Sequence, residues 1–241
     1  MRELLIAGLF ALLGPGLALA KPPVVVELYT AQGCVSCIEA NAKLAPLAAR
    51  PDVLALTFSV DYWDYLGWPD TFARPDFTAR QKAYVTRLAL REPYTPQVVV
   101  NGSAQVGGLQ TDKIEALITK AEASGRRAPA ISFSGQRRVY VGSGLRARAG
   151  ADVWLVRYDP KEQDVDVRKG DNRGQTVTHV NVVREVTRLG SWRGKPVTFK
   201  IAEAPEDGLA VAVLVQGAKG GRILGAARLA PVQAKAGPAN P

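Results

Sequence analysis

ELYTAQGCVSCIEANAKL, residues 27–44, holds both cysteines of the 241-residue chain, Cys34 and Cys37. An apolar run from Val24 to Leu28 leads into it and ends at Thr30. Cys37, Ala40, Leu44, Leu47 and Ala48 then recur at helical spacing. The pair therefore falls at a strand-to-helix junction. Pro46 inside the pattern predicts a kink or a separate last turn. At the first turn of a helix, unpaired N–H groups and the helix dipole favour a thiolate. Gly33 lets the backbone turn and leaves the Cys34 sulfur open, and Cys37 follows one turn later. Thiol–disulfide exchange needs this arrangement: an attacking thiolate and a second thiol to resolve the mixed disulfide. A structural staple is the weaker reading, because so short a loop gains little from closure. A zinc site wants about four ligands, and the only histidine, His179, lies in the other half. Redox chemistry is the favoured reading. An inert pair and a metal or copper site are the alternatives.

Reading outward, strands and helices alternate. VLALTFSV, residues 53–60, is a second buried-type strand. Asp76 is the expected cap of a helix carrying Phe77, Tyr84 and Leu88. Gln97–Val100 and Ala104–Val106 flank an Asn101-Gly102 turn and read as a hairpin. Thr111 is the expected cap of a helix with Ile114, Leu117, Ile118 and Ala121 on one face. This β-α-β-α-β-β-α order describes an α/β thioredoxin-like domain, residues 21–127. Ile131/Phe133, Val165/Val167, Val197/Phe199/Ile201 and Val211/Val213/Val215 alternate with period two. They predict an all-β, sandwich-like domain over residues 128–232, with a loose tail at 233–241. The boundary falls near Ser124-Gly125-Arg126-Arg127-Ala128-Pro129.

Residues 1–20 read MRELLIAGLFALLGPGLALA, with Arg2 before an apolar stretch and Ala18-Leu19-Ala20 before Lys21. This is the pattern of a secretory signal peptide. The apolar run is short and Gly/Pro-interrupted for a membrane anchor. The expected location is outside the cytoplasm, periplasmic or secreted, where disulfides persist. Charge separates the halves. Residues 21–127 carry 12 basic and 11 acidic side chains, and residues 128–241 carry 18 and 10. No dense Lys/Arg block appears, so no nucleic acid is expected. Weak contact of the basic half with polyanions or a membrane surface is the remaining partner reading.

Tyr94-Thr95-Pro96-Gln97 immediately precedes the Val98–Val100 strand. C-x-x-C at a strand–helix turn with Thr-Pro entering a strand resembles the thioredoxin superfamily. That resemblance implies a cis Thr95–Pro96 peptide facing the cysteines and a substrate-docking role for Thr95. VELYTAQGCVSC, VDYWDYLGW, PDFTARQKAY, YTPQVVVNG and GDNRGQTVTHVNVVREVTRLGSW together resemble a family of exported bacterial proteins. It is catalogued as domain-of-unknown-function family 1223. That family lends no settled activity, and the function read from the cysteine pair and Thr95-Pro96 is an exported thiol:disulfide oxidoreductase. Cys34 would be the nucleophile and Cys37 the resolving thiol, with protein thiols and disulfides as partners and no bound cofactor or metal. The alternative is a non-enzymatic envelope binding protein. Glu27 is a candidate proton-transfer group. Tyr62, Trp63 and Trp68 would line a peptide groove or pack as a lid. His179 reads as a strand residue, and Asn172-Arg173-Gly174 as turn chemistry first.

Overall fold

A computed structural model describes residues 21–124, 127–145, 147, 149–203 and 208–229. The leader expected at 1–20 and the tail at 233–241 lie outside the described residues. In chain order the elements are β1 (Val24–Thr30), α1 (Val35–Ala48), β2 (Val53–Ser59), α2 (Pro75–Arg87), β3 (Gln97–Val100), β4 (Ala104–Gly107), α3 (Thr111–Glu122), β5 (Ile131–Phe133), β6 (Arg138–Val141), β7 (Ala151–Asp159), β8 (Gln163–Asp166), β9 (Thr176–His179), β10 (Val182–Trp192), β11 (Val197–Lys200), β12 (Ala210–Gly217) and β13 (Ile223–Leu229).

Eight strands form one mixed sheet, in the order β13-β12-β7-β10-β2-β1-β3-β4. This overturns the expected fold class. The chain is mainly β and is not a thioredoxin-like α/β domain followed by a β-sandwich. The reason lies in β2. Its seven residues are buried throughout, so it needs neighbours on both edges. β1 pairs with one edge in parallel, in full register from Val24↔Val53 to Thr30↔Ser59. The second half supplies the other neighbour. Val182 of β10 aligns with Thr57, and Thr57 N donates to Asn181 O at 3.0 Å. Thr57 Oγ1 donates to Val180 O at 2.6 Å, and Asn181 Nδ2 donates to Ala55 O at 2.8 Å.

The sheet also curls. From the far edge, Ile223 N donates to Asn101 O at 2.9 Å and Arg228 Nη2 donates to Pro51 O at 2.6 Å. β13 thus returns to the amino end of β1 and β2. Inside the curl, Val25, Tyr29, Leu56 and Phe58 pack with Phe77 and Tyr84 of α2 and with Val156, Leu214 and Ile223. On the other side of β1, Val24, Val26 and Leu28 pack against α1 and α3. A smaller sheet, β11-β6-β5, covers Val153, Leu155, Val211, Val213 and Val215 through Val139, Val141 and Ile201. The period-two rhythm of the second half is real. Each of β7 and β12 sends alternate residues to two different cores.

Local ends also differ from the sequence reading. α2 starts with Pro75 in its first turn after Arg74, so Asp76 supplies first-turn charge and no cap. Gln110, not Thr111, precedes α3. α1 is one uninterrupted helix that includes Pro46. Among the described residues no helix is long and apolar enough to cross a membrane.

Candidate functional site

β1 ends at Thr30, and Ala31-Gln32-Gly33 turns the chain into α1. Cys34 is the extended residue capping that helix, with its N–H on Ala31 O at 3.2 Å. Cys37 lies in the first turn and donates its N–H to Cys34 O at 3.0 Å. The two are joined as a disulfide, with Cα atoms 5.3 Å apart. No side chain caps α1, and its first turn holds no acid. Among the described residues, no capping side chain or first-turn acid opposes a thiolate at this helix start. Cys34 Sγ lies 3.6 Å from Ser36 Oγ. The sequence reading left the Cys34 sulfur open. In the structure Cys34 is only 2% exposed and Cys37 is fully covered.

Trp63 packs against the buried cluster that holds both cysteines. A Cβ built on Gly33 would stand 3.6 Å from Trp63 Cβ, so the tryptophan backs directly onto the turn. Trp63 Nε1 donates to Thr95 Oγ1 at 2.8 Å. Gly33, Trp63 and Thr95 are therefore one contiguous unit. The Thr95–Pro96 peptide is cis. Gly108 N donates to Pro96 O at 2.8 Å, and a Cβ on Gly108 would meet Pro96 Cβ at 2.8 Å and Ala40 Cβ at 3.2 Å. Only glycine lets the proline segment seat this closely against α1.

Tyr62 turns its hydroxyl towards Gln81 and Thr95 without closing a hydrogen bond to either, and burial pushes it up to about 12. Trp68 Nε1 donates to Gln32 Oε1 at 2.9 Å. Tyr62, Trp63 and Trp68 are each partly buried. Tyr62 and Trp63 pack against the buried cluster that holds the cysteines, while Tyr65 (80%) and Val35 (62%) are exposed.

Gln32 had not been singled out in the sequence, yet it organises the turn. Its N–H donates to Asp70 Oδ2 at 2.7 Å, its Nε2 donates to Thr71 Oγ1 at 2.8 Å, and its carbonyl accepts from Asn172 Nδ2 at 2.7 Å. The sequence presents Asn172 as turn chemistry. Its partner is 140 residues away, a distance at which the sequence carries no signal. Asp70 also accepts from Phe72 N at 2.8 Å. Burial raises its carboxyl to about 6 against those donors, and Asp64 adds to the rise. Gln81 Nε2 donates to Tyr94 O at 2.8 Å and to Gln97 Oε1 at 3.0 Å, bracketing Thr95–Pro96 from both sides.

Glu27 sits in a polar network of its own. It is fully buried on the face of β1 shared with Val25 and Tyr29. Arg80 Nε donates to Glu27 Oε1 at 2.7 Å, and the Tyr84 hydroxyl donates to Oε2. Gln216 Nε2 donates to Tyr84 Oη at 2.8 Å. Both carboxylate oxygens are thus engaged by a closed network rather than by a sulfur. Burial pushes the Tyr29 and Tyr84 hydroxyls well above their ordinary value.

His179 is the last residue of β9, edge-on to Phe72 with centroids 5.4 Å apart. Neither ring nitrogen has a hydrogen-bond partner among the described residues. Burial lowers it to about 4, Arg184 adds to the drop and Asp164 opposes it. No group of three His, Cys, Asp or Glu side chains gathers as a metal site among the described residues.

A family model described as protein of unknown function DUF1223 matches residues 25–216. The chain belongs to this family. A DUF1223 match of that span takes in the cysteine turn, Trp63, Thr95–Pro96 and Asn172. A crystal structure of an Agrobacterium tumefaciens protein is 34% identical, covers 86% of this chain and 93% of its own, and superposes with a TM-score of 0.70. An endonuclease/exonuclease/phosphatase structure from Beutenbergia cavernae is 18% identical over 42% of this chain and 22% of its own. Its TM-score of 0.19 carries no argument. No curated protein matches the chain.

Proposed function

We propose that the protein is a thiol:disulfide oxidoreductase acting on protein thiols and disulfides. The observation that carries this reading is the Cys34–Cys37 disulfide at the uncapped, acid-free start of α1. In the reducing direction, the Cys34 thiolate attacks a substrate disulfide and releases one substrate thiolate. The Cys37 thiolate then attacks Cys34 Sγ, closes the pair and releases the second. Two electrons pass from the dithiol to the substrate, and the reverse sequence oxidises a substrate dithiol. The scheme draws on no bound cofactor. Thr95–Pro96 would hold the substrate segment, and Trp63 would have to shift for a sulfur of that segment to reach Cys34. In this proposal the protein works outside the cytoplasm, periplasmic or secreted.

The burial of both sulfurs favours a second reading, a binding protein in which the disulfide is inert. Titration in glutathione redox buffers with alkylation and mass spectrometry separates the two. A reversible two-electron midpoint, between about −270 mV for a reductant and about −120 mV for an oxidant, supports exchange. A Cys37→Ser variant that captures protein partners as mixed disulfides through Cys34 supports it further. A pair that resists cycling across that range, with no captured partner, leaves the binding protein.

A further inference from the structure

The second half carries most of the positive charge, and the redox scheme uses none of it. Residues 128–150 and 189–202 hold seven Lys/Arg and no Asp/Glu. Ile131–Phe133, Arg138–Val141 and Val197–Lys200 within them form the β11-β6-β5 sheet. Val139 and Val141 face inward, so Arg138 and Tyr140 face out. Lys200 is directly opposite Arg138 in the register, and Thr198 is opposite Tyr140. Like charges so placed repel one another. Among the described residues no carboxylate lies within ion-pair distance of Arg138, Arg193, Lys195 or Lys200. At one end of the sheet the exposed Arg193–Lys195 turn meets the next loop, where Gly144 N donates to Gly194 O at 3.2 Å. The following residue, Leu145, is 81% exposed, and Tyr140 is 41% exposed.

Leu145 also stands at the rim of a groove of about 540 Å³ between α3 and β13, which Lys21, Lys120, Arg127 and Arg222 line. Its acid, Glu122, is 3.6 Å from Arg50. Positive charge therefore surrounds a bare leucine on two sides. Cations alone fit any polyanion. Cations around an exposed apolar side chain and an aromatic fit an interface that is charged at its surface and apolar just below it.

We propose that this face docks the protein onto an anionic lipid bilayer, with Leu145 entering the headgroup–acyl boundary. The groove borders Val24 at the start of β1, whereas Cys34 follows its end. Seven strand residues separate the two by roughly 20 Å. Docking leaves the cysteine turn facing away from the lipid, and the inference stands independently of the redox reading.

Co-sedimentation of the full chain with vesicles tests it. Vesicles of phosphatidylglycerol and phosphatidylcholine, about 3:7, should bind it at low salt, and pure phosphatidylcholine vesicles should not. Raising ionic strength to roughly 0.3 M should weaken binding severalfold. Arg193→Glu/Lys195→Glu should lower partitioning at least about tenfold, since each basic side chain near such a surface contributes about fivefold. Leu145→Ser should cut the salt-resistant remainder severalfold. All three positions are exposed, and an unchanged thermal midpoint confirms that the variants fold. Equal binding to neutral vesicles, indifference to charge reversal, or capture by heparin or duplex DNA without vesicle binding would overturn the proposal.

Discussion

Asp70 and His179 flank Phe72: Phe72 N donates to Asp70 Oδ1, and the His179 ring meets the Phe72 ring edge-on. Burial moves their titrations in opposite directions, Asp70 up to about 6 and His179 down to about 4. Each displacement of about two pH units corresponds to roughly 3 kcal/mol between the protonation states. The folded chain holds the Asp70 proton more tightly than the unfolded chain, so acidification from about pH 6 to pH 4 adds about 3 kcal/mol of stability. His179 is held neutral, so the unfolded chain takes up its proton first. Acidification from about 6.5 to 4 therefore removes about 3 kcal/mol. In the native protein the two nearly cancel. Replacing either one unmasks the other. Asp70→Asn should lose about 3 kcal/mol relative to wild type between pH 6.5 and 4. His179→Asn should gain about as much over the same window. Both variants carry a fixed cost of substitution, so the slope against pH decides the matter. Urea unfolding at half-unit pH steps, with a constant m-value, measures it. Asp64, Arg184 and Asp164 act on these two groups in every variant, and the differences cancel other carboxylates such as Glu185. Slopes that stay parallel to wild type in both variants would refute the burial argument.

Arg80→Met should destabilise by about 3–5 kcal/mol, because it strands the fully buried Glu27 carboxylate. Adding Glu27→Gln should recover much of that loss, and chemical denaturation reads both. Trp63→Phe keeps the Cβ beside Gly33 but removes the donor to Thr95 Oγ1. Reduction of Cys34–Cys37 by dithiothreitol should then quicken severalfold, and an unchanged rate would mean that Trp63 does not gate the sulfur. Asn172→Ala should cost about 1–3 kcal/mol by leaving the buried Gln32 carbonyl unpaired, seen as a lowered urea midpoint. A fragment of residues 21–127 should lack a cooperative unfolding transition and near-ultraviolet circular dichroism.

Local signals in the sequence carried the first half well. The apolar runs of β1 and β2, the helical spacing from Cys37 to Leu47, and the Asn101-Gly102 turn each report on residues close in the chain. So does the junction that sets Cys34 at the start of α1. Pairings across the halves have no such signal. VLALTFSV announces a strand buried on both faces, but nothing in it names β10 as the neighbour. Val182 reaches Thr57 after 125 residues of chain. A separation of 140 residues likewise hid the pairing of Gln32 with Asn172. The exposed reading of Cys34 failed for a related reason. Gly33 does open the turn, and Trp63, thirty residues on, fills the opening. β7 and β10 escaped the alternation reading. β7 runs buried through Leu155 to Tyr158, because it is covered on both sides. β10 carries register shifts at Val183/Glu185 and Arg188/Gly190 that break its period.

The position of the disulfide follows from this shared sheet. Among the described residues, Cys34 and Cys37 belong to a buried cluster of 20, eight of which come from beyond residue 127. Five of those eight are large: Val156, Tyr158, Val183, Leu214 and Ile223. At roughly 2 kcal/mol each they contribute about 10 kcal/mol, comparable to the whole stability of an ordinary domain. β2 would also become an open edge, with Thr57 N and Ala55 O losing their partners on Asn181. The second half is therefore part of the wall behind the cysteine turn. Asn172 fixes the Gln32 carbonyl from that wall, Gln32 fixes Asp70 and Trp68, and Trp63 closes the face towards Thr95. A partner that moves Trp63 works against a turn held from behind by residues 140 positions away. Access to Cys34 is thereby coupled to the packing of the whole sheet rather than to the loop alone.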